Sequence, residues 1–252
     1  MKASKGVVSL KKEYWLIILT YIVMQFSGIL GIPLLLRMGI GEGESQRMAQ
    51  ITASGYWTVA SFAVAFAIVL LLLRNHFKSN EFRGDASPVS TSVLWAVGGV
   101  FMALFVQVLA ANIEIQVFGI EGESENTKVI MEVLQVTPLL ILVTSIIGPI
   151  LEEIIFRKIL FGVLYQRINF FLSALISSLV FALVHGEPQH VLLYGSMGFV
   201  FAFLYVKTKR ILVPIFAHVA MNTFVVILQT NREQLEEMLK QAEQMQFIFG
   251  GM

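Results

Sequence analysis

Cysteine is absent from this sequence, and charged residues are scarce. Because the cysteine count is 0, the chain has no disulfides, no thiolate metal ligands and no cysteine nucleophile. Only 14% of its residues are charged, whereas 56% are hydrophobic, which leaves too little charge to cover a water-soluble surface. The net charge of +1 gives no electrostatic basis for binding nucleic acid. These shortages favour an integral membrane protein.

Long apolar runs indicate where the chain crosses the membrane. A membrane helix needs about 20 predominantly apolar residues. The runs that approach this length predict seven spans, at residues 14–36, 56–73, 92–118, 138–165, 170–184, 191–206 and 211–228. An eighth arises if Pro149 breaks the fourth run or if residues 124–137 form a re-entrant helix. The first run is too long for a signal-peptide core and has no small-residue cleavage pattern, so we interpret it as a retained span.

The distribution of basic residues predicts the orientation of these spans. Lysine and arginine concentrate at the N-terminus, in the loop at 74–90, around Arg157 and at 207–210, whereas the loop at 119–128 is acidic. Seven spans put the basic segments on one side, as the positive-inside rule requires. We therefore predict a single all-α domain over residues 1–252, a polytopic helical bundle in the lipid bilayer. Its N-terminus would be cytoplasmic, and the pattern is compatible with a bacterial plasma membrane.

The C-terminal tail, residues 229–252, is polar with one apolar face. At helical spacing this face consists of Leu235, Met238, Leu239, Ala242 and Met245. Such a helix would lie on the membrane surface or pack on a partner, and the alternative is a frayed polar extension.

Three ionisable side chains interrupt the apolar stretch SIIGPILEEIIFRKILFG, residues 145–162. An ionised group at bilayer depth costs at least about 2.5–3.5 kcal/mol, so these groups imply mutual compensation or a wet cavity. Residues four apart share a helix face, and Glu153 and Arg157 are therefore predicted to pair. Glu152 is rotated by about 100° from its neighbour and remains free for chemistry.

Two further motifs carry polar groups into apolar segments. FALVH puts Phe181 and His185 on one helix face near the end of a span, and HVAMN does the same for His218 and Asn222. Pro214 suits the first turn of the last span, where its missing N–H matters little.

Depth along the spans presents a difficulty. A count along the chain puts His218 on the order of 10 Å nearer the basic side than Glu152 or His185. A helix that is tilted, or that starts below the membrane surface, would close this gap.

If these faces converge, two kinds of chemistry are open. A desolvated glutamate beside a histidine can deprotonate a water, while a second histidine and a carboxamide donate hydrogen bonds to the oxyanion of an attacked amide. Alternatively, Glu152, His185 and His218 would bind Zn²⁺ and leave one position for water. The usual local zinc signature, H-E-x-x-H, is missing from the sequence.

The motifs together resemble a known family. EExxxR at 152–157, FxxxH at 181–185 and HxxxN at 218–222, in this order on successive apolar segments, are similar to the CPBP family. These are intramembrane CAAX proteases and bacteriocin-processing enzymes, also called Abi proteins. The resemblance covers residues 138–228, which would be the catalytic helices, and it implies an endopeptidase with a water-filled cavity between them.

The resemblance also implies roles for the motif residues. Glu152 would be the general base that activates water, assisted by His185, while His218 and Asn222 would stabilise the oxyanion. The resemblance is compatible with a metalloprotease, in which Glu152, His185 and His218 would hold the metal, and with a glutamate-dependent protease that uses no metal.

Three more residues would support the site rather than react: Glu153, Arg157 and Phe181. Among other polar residues, Asn112 and Glu114 are expected to reach the membrane interface, and His76 to be a solvated loop residue. Glu187 and His190, in HGEPQH, either join the site or line a loop at the membrane boundary.

We therefore predict hydrolysis of a peptide bond in a membrane-presented peptide or protein precursor, as in peptide maturation or self-immunity. Two rivals remain. One is a non-catalytic scaffold or immunity protein of the same fold. The other is a proton-coupled transporter, which is disfavoured because the polar groups cluster in one half of the chain and no related halves are visible.

Overall fold

The computed structural model describes residues 12–74, 85–120 and 124–249. The lysines before residue 12, His76 with most of the 74–90 loop, and Glu121 and Glu123 lie outside these ranges, as does the side chain of Met245.

The described residues form helices and no strands. The first helices along the chain are α1 (Lys12–Phe26), α2 (Gly28–Arg37), α3 (Gln46–Leu73), α4 (Val89–Phe118) and α5 (Glu125–Val136). A long helix over residues 140–165 follows as α6, and the remaining helices are α7 (Phe170–Val184), α8 (Val191–Thr208), α9 (Leu212–Thr230) and α10 (Arg232–Phe249). The predicted all-α fold is confirmed.

Each predicted span contains a helix, but the count of seven spans is not confirmed. Within the described residues, four helical stretches are long and apolar enough to cross a membrane: α3, α4, Pro188–Thr208 and α9. A fifth results if α1 and α2, which meet at a bend of 45°, form one span, and α7 is apolar but shorter. Large apolar side chains such as Phe101 and Phe105 are 69% and 68% exposed on α4, as expected for a surface that lipid covers.

Helix α6 carries the glutamate motif and is unbroken. Its backbone changes from α-helical to π-helical at Val143–Ile147, returns to α-helical over Gly148–Glu152, and becomes π-helical again over Glu153–Phe161. Pro149 lies in the first turn of the short middle segment, where a missing N–H is tolerated, and the helix continues through it without a break. The eighth span that a break at Pro149 would create is therefore wrong.

The predicted re-entrant segment forms α5, which is 12 residues long. At 1.5 Å per residue it measures about 18 Å and is too short to span a membrane. It packs against α3 and the start of α6, where Val133, Leu140 and Val143 form a small apolar cluster. The chain bends between the two helices at Thr137, whose backbone leaves the helical conformation.

The second π-helical segment lies at the centre of the bundle. Ile154, Phe156 and Ile159 are almost fully buried there, and they pack in one cluster with apolar side chains from α1, α3, α7, α8 and α9. The tail forms α10, on which Leu235, Met238 and Leu239 are exposed. The bundle thus surrounds the glutamate motif and leaves the part of the tail's apolar face at Leu235, Met238, Leu239 and Ala242 uncovered.

Candidate active site

His218 reaches from α9 to both carboxylates of the glutamate motif. Its Nε2 lies 3.7 Å from Oε2 of Glu152, and its Nδ1 lies 2.9 Å from Oε1 of Glu153. The side chain of Glu153 is 0% exposed, whereas that of Glu152 is 19% exposed. An ionised carboxylate only accepts, so Nδ1–H donates to Glu153 and Nε2 faces the more open glutamate. The two adjacent carboxylates therefore have different surroundings, as the helix spacing predicts.

Arg157 forms the predicted ion pair with Glu153. One guanidinium nitrogen lies 3.3 Å from Oε1 of Glu153, and both side chains are buried. The guanidinium carbon also lies 4.3 Å from the ring centroid of Phe181 and 5.2 Å from that of Phe201. Within the described structure, both terminal guanidinium nitrogens and Oε2 of Glu153 lack a hydrogen-bond partner. Stacking on aromatic faces and charge attraction thus hold Arg157 in place.

His185 occupies the C-terminal end of α7. Its Nδ1 lies 2.8 Å from the carbonyl oxygen of Phe181, which fixes the proton on Nδ1 because a carbonyl only accepts. The ring stacks on Tyr194 with centroids 4.1 Å apart and meets the Phe181 ring edge-on at 4.6 Å. Over the described residues, His218 rather than His185 forms the contact with Glu152 within 4.0 Å.

A single cavity brings the predicted catalytic side chains together. Its volume is about 500 Å³, and Glu152, His185, His218 and Asn222 all line it. Asn222 lies one turn after His218 on α9 and donates from Nδ2 to the carbonyl oxygen of Thr144 at 3.2 Å. Helices α1, α3, α4 and α5 also contribute to the walls. The structure therefore brings together residues from three separate segments around one volume.

The depth difficulty is resolved by the packing of α9 on α6. Helix α9 begins at Leu212 with Pro214 in its first turn, and Lys209 turns the chain before it with a left-handed φ of 54°. Helix α9 then packs against α6, and the contacts of His218 with Glu152 and Glu153 show that the three side chains lie at the same level.

The three predicted zinc ligands do not fit a metal site as they stand. In the part of the chain that the structure describes, no group of three or more His, Asp or Glu side chains is arranged to hold a metal ion. Of the three, Glu152 and His218 are in contact, while His185 stacks on Tyr194 and, over the described residues, lies more than 4.0 Å from the Glu152 carboxylate. The chemistry below is therefore derived from side chains and water.

The expectation that Glu114 reaches the interface is wrong. Glu114 is 2% exposed, its Oε2 lies 2.8 Å from Nδ1 of His190, and its Oε1 accepts the N–H of Leu193 at 2.9 Å. His190 therefore lies in a buried pair with α4 and not in the cavity. Asn112, in contrast, is exposed and donates to the carbonyl oxygen of Val108 on its own helix.

Glu187 does not itself line the cavity, but it is bonded to three residues that do, and it is 5% exposed. It accepts hydrogen bonds from Ser124 Oγ and Tyr194 Oη at 2.7 Å each, and from the N–H of Asn126 at 3.1 Å. Burial by itself raises the pKa of Glu187, but the hydrogen bonds from Ser124, Tyr194 and Asn126, with the charge of His190, hold that pKa below its usual value. The carboxylate is thus ionised and fully bonded.

Sequence reasoning missed several lining residues. Tyr194 and Ser124 have no motif and no periodic signal, since a single tyrosine in an apolar helix is common. Tyr21 of α1 also lines the cavity and packs edge-on against Phe156 at 6.1 Å. Only a three-dimensional arrangement identifies these three.

Comparisons with known proteins agree with the motifs. Residues 134–224 match the family described as type II CAAX prenyl endopeptidase Rce1-like. The putative membrane peptidase YdiL of Bacillus subtilis is 53% identical over 245 residues, which cover 96% of this chain and 99% of that protein. The membrane-embedded CAAX protease MroQ of Staphylococcus aureus is 31% identical over 242 residues, covering 93% of this chain and 96% of that protein. No solved structure gives a significant match. The chain therefore belongs to the Rce1-like CAAX endopeptidase family of membrane peptidases.

Proposed function

We propose that this chain is an intramembrane endopeptidase that hydrolyses a peptide bond in a membrane-presented peptide or protein precursor. The observation that carries the proposal is the contact between Glu152 and His218 in a cavity that His185 and Asn222 also line. Glu152 is the more open of the two motif carboxylates and so is the one that water reaches. We further propose a bacterial plasma membrane with the N-terminus in the cytoplasm.

Glu152 would act as the general base. Its carboxylate takes a proton from a water in the cavity, and the resulting hydroxide attacks the carbonyl carbon of the scissile peptide bond. Collapse of the tetrahedral intermediate breaks the C–N bond, and the proton passes from Glu152 to the leaving amine. The products are a carboxylic acid and an amine, with no covalent enzyme intermediate.

His218 and Asn222 would stabilise the oxyanion of that intermediate. The hydrogen bond from Nδ1–H to Glu153 fixes the His218 ring so that Nε2 is directed to Glu152 and the cavity. Donation to the oxyanion requires a second proton on Nε2, so His218 would act as an imidazolium, with Glu153 accepting from its other nitrogen. Asn222 uses one amide hydrogen for the Thr144 carbonyl, and a carboxamide has a second hydrogen to donate. Hydrogen-bond donors that the fold already directs at the oxyanion, in a site of low dielectric constant, are usually the largest source of transition-state stabilisation.

His185 would hold the attacking water from the side opposite Glu152. Its Nδ1–H is engaged with the Phe181 carbonyl, which leaves Nε2 for the cavity. Glu153, Arg157 and Phe181 would act behind this layer, because they orient His218 and the helix that carries Glu152.

The test is cleavage of a panel of candidate precursor peptides by the protein purified in detergent, read by mass spectrometry. Prenylated peptides ending in CAAX, which the family description names, form one arm, and unmodified secreted-peptide precursors form the other. We expect Glu152→Gln and His218→Ala to lower cleavage by at least about 100-fold, the usual contribution of a general base or an oxyanion donor. The exposed carboxylate variant Glu233→Gln is the control and should retain activity.

Cleavage that persists in both Glu152→Gln and His218→Ala would overturn the proposal. A scaffold or immunity protein would keep its biological effect in both variants without any cleavage. Metal analysis of the purified protein and cleavage in the presence of a chelator test Zn²⁺ separately: the side-chain mechanism predicts no loss of cleavage on chelation.

A further inference from the structure

The border of the cavity contains a hydrogen-bonded cluster that the proposed mechanism does not use. It consists of Glu187 in the turn after α7, Tyr194 on α8, and Ser124 and Asn126 at the start of α5. Glu187 is the acceptor for all three partners, so a single carboxylate connects three elements of the bundle.

One side of this cluster supports His185. The Tyr194 ring stacks on the imidazole at 4.1 Å with 25° between the planes, and the tyrosine hydroxyl donates to Oε2 of Glu187 at 2.7 Å. A stacked ring whose hydroxyl is fixed at its far end has little freedom to rotate. Glu187 therefore limits the orientation of His185 through Tyr194.

The other side of the cluster holds α5. Ser124 caps this helix by accepting the N–H of Thr127 at 3.2 Å, while its hydroxyl donates to Glu187. A carboxylate at a helix N-terminus is also favoured by the helix dipole. The C-terminal half of α5 is anchored differently, since Val133 and Leu134 pack in the apolar cluster with Leu140 and Val143. The two halves of α5 thus depend on different forces.

We propose that Glu187 is a positioning residue that fastens the first turn of α5 against the cavity and, through Tyr194, holds the His185 ring. When Glu187 releases its partners, α5 moves outward about the bend at Thr137 and the His185 support loosens with it. Helix α5 forms one wall of the cavity with Thr127, Ile130 and Met131, so this movement widens the route by which a peptide enters. The part that concerns His185 rests on the proposed function, whereas the part that concerns α5 does not.

The test uses the absence of cysteine from the chain. Thr127→Cys introduces a single thiol on the cavity side of the first turn of α5, and its rate of modification by a water-soluble maleimide reports how open that turn is. We expect Glu187→Gln in this background to raise the rate about tenfold, the effect of losing charge-assisted hydrogen bonds. Ser124→Ala and Tyr194→Phe, which each remove one hydroxyl, should raise it by smaller factors.

Matched controls separate this movement from general loosening. Glu125→Gln removes an exposed carboxylate in the same turn of α5 and should leave the rate unchanged. A thiol at the exposed position Leu235→Cys should react equally in the Glu187 and Glu187→Gln backgrounds. The proposal is overturned if the thiol of Thr127→Cys is modified at the same rate in the Glu187→Gln background as in the Glu125→Gln background. If Glu187→Gln does not fold, as judged by size-exclusion chromatography, the same comparison is decided by Ser124→Ala and Tyr194→Phe, and unchanged rates in both would overturn it.

A second measurement concerns His185. Where a peptide from the panel is cleaved, Tyr194→Phe keeps the stacked ring but removes its bond to Glu187, so kcat should fall several-fold, with a smaller change in KM, because the imidazole is less well oriented. An unchanged kcat in Tyr194→Phe would show that Glu187 does not orient His185 through Tyr194. If no peptide is cleaved by any form of the protein, the proposed function fails, whereas the maleimide rates still decide the α5 part.

Discussion

Two buried polar clusters contact residues that line the cavity, and they differ in how completely their atoms are paired. In the first, around Glu153 and Arg157, one carboxylate oxygen and both terminal guanidinium nitrogens have no hydrogen-bond partner within the described residues. The second comprises the Glu187 cluster and the neighbouring Glu114–His190 pair, and in it both oxygens of Glu187 and both of Glu114 are bonded. Buried polar groups are normally satisfied, and each exception needs an explanation, such as a catalytic role or an ordered water. We expect the first cluster to serve the reaction because it contacts His218, and the second to hold the walls around the cavity because it joins α4, α5 and α8.

The largest expected effect separates the two adjacent glutamates. Glu152→Gln should abolish peptide cleavage but leave the thermal unfolding temperature in detergent nearly unchanged, since Glu152 is partly open to the cavity. Glu153→Gln should lower both, because it removes the partner of His218 and of Arg157. Cleavage assays and thermal unfolding of the two variants, measured side by side, check this. Equal loss of stability in both would contradict the division of roles.

The next effect concerns Arg157. Arg157→Met leaves the buried Glu153 without its countercharge and should cost about 3–5 kcal/mol of stability, as when one partner of a buried ion pair is removed. Adding Glu153→Gln to Arg157→Met should restore part of that loss because no unpaired charge then remains. Thermal unfolding of both single variants and the double variant measures the coupling. A fully additive double variant would show that the pair does not interact.

A smaller effect is expected in the second cluster. Glu114→Gln weakens its bonds to His190 and Leu193 and should cost about 1.5–3 kcal/mol, the range for hydrogen bonds to charged groups. Because Glu114 is not among the cavity-lining residues, kcat should stay near that of the unmodified protein at temperatures where the variant is folded. A large loss of kcat without loss of stability would place Glu114 in the reaction.

The smallest effect is a pH dependence of stability from Glu187. Its pKa is lower in the folded chain than in the unfolded chain, so its contribution is fully present above the unfolded value of about 4.3 and is lost as the pH falls through the folded value. The difference in unfolding temperature between the unmodified protein and Glu187→Gln should therefore be constant near neutral pH and shrink below about pH 4.3. A difference that grows as the pH falls would reverse the sign and contradict the assignment.

The first cluster was largely predictable because its members are close along the chain. The four-residue spacing of Glu153 and Arg157 predicts their pairing, and the position of Glu152 one residue earlier predicts its separate direction. The convergence of His218 on α6 was not derivable from spacing, since it depends on how α9 packs against α6. The family resemblance, in contrast, does associate His218 with the glutamate motif.

The second cluster was not predictable, because its contacts join distant parts of the chain. Glu114 pairs with His190, which lies 76 residues later, and Ser124 bonds Glu187, 63 residues later. Hydropathy treats a glutamate near the end of a span as interfacial, and nothing in the local sequence reports a buried partner. The number of spans was not predictable for a similar reason. Hydropathy measures how apolar a stretch is and does not detect that one stretch forms two helices that meet at a bend, as α1 and α2 do.

The change of helical pitch within α6 has a consequence for how this site tolerates change. Glu152 ends the α-helical segment and Glu153 begins the wider π-helical one, so the pair straddles a junction in pitch. Deleting one residue between Glu153 and Arg157 would change the four-residue spacing that brings these two side chains together. A substitution in this segment alters one contact, whereas an insertion or deletion there would separate Glu153 from Arg157 and so remove the ion pair behind His218.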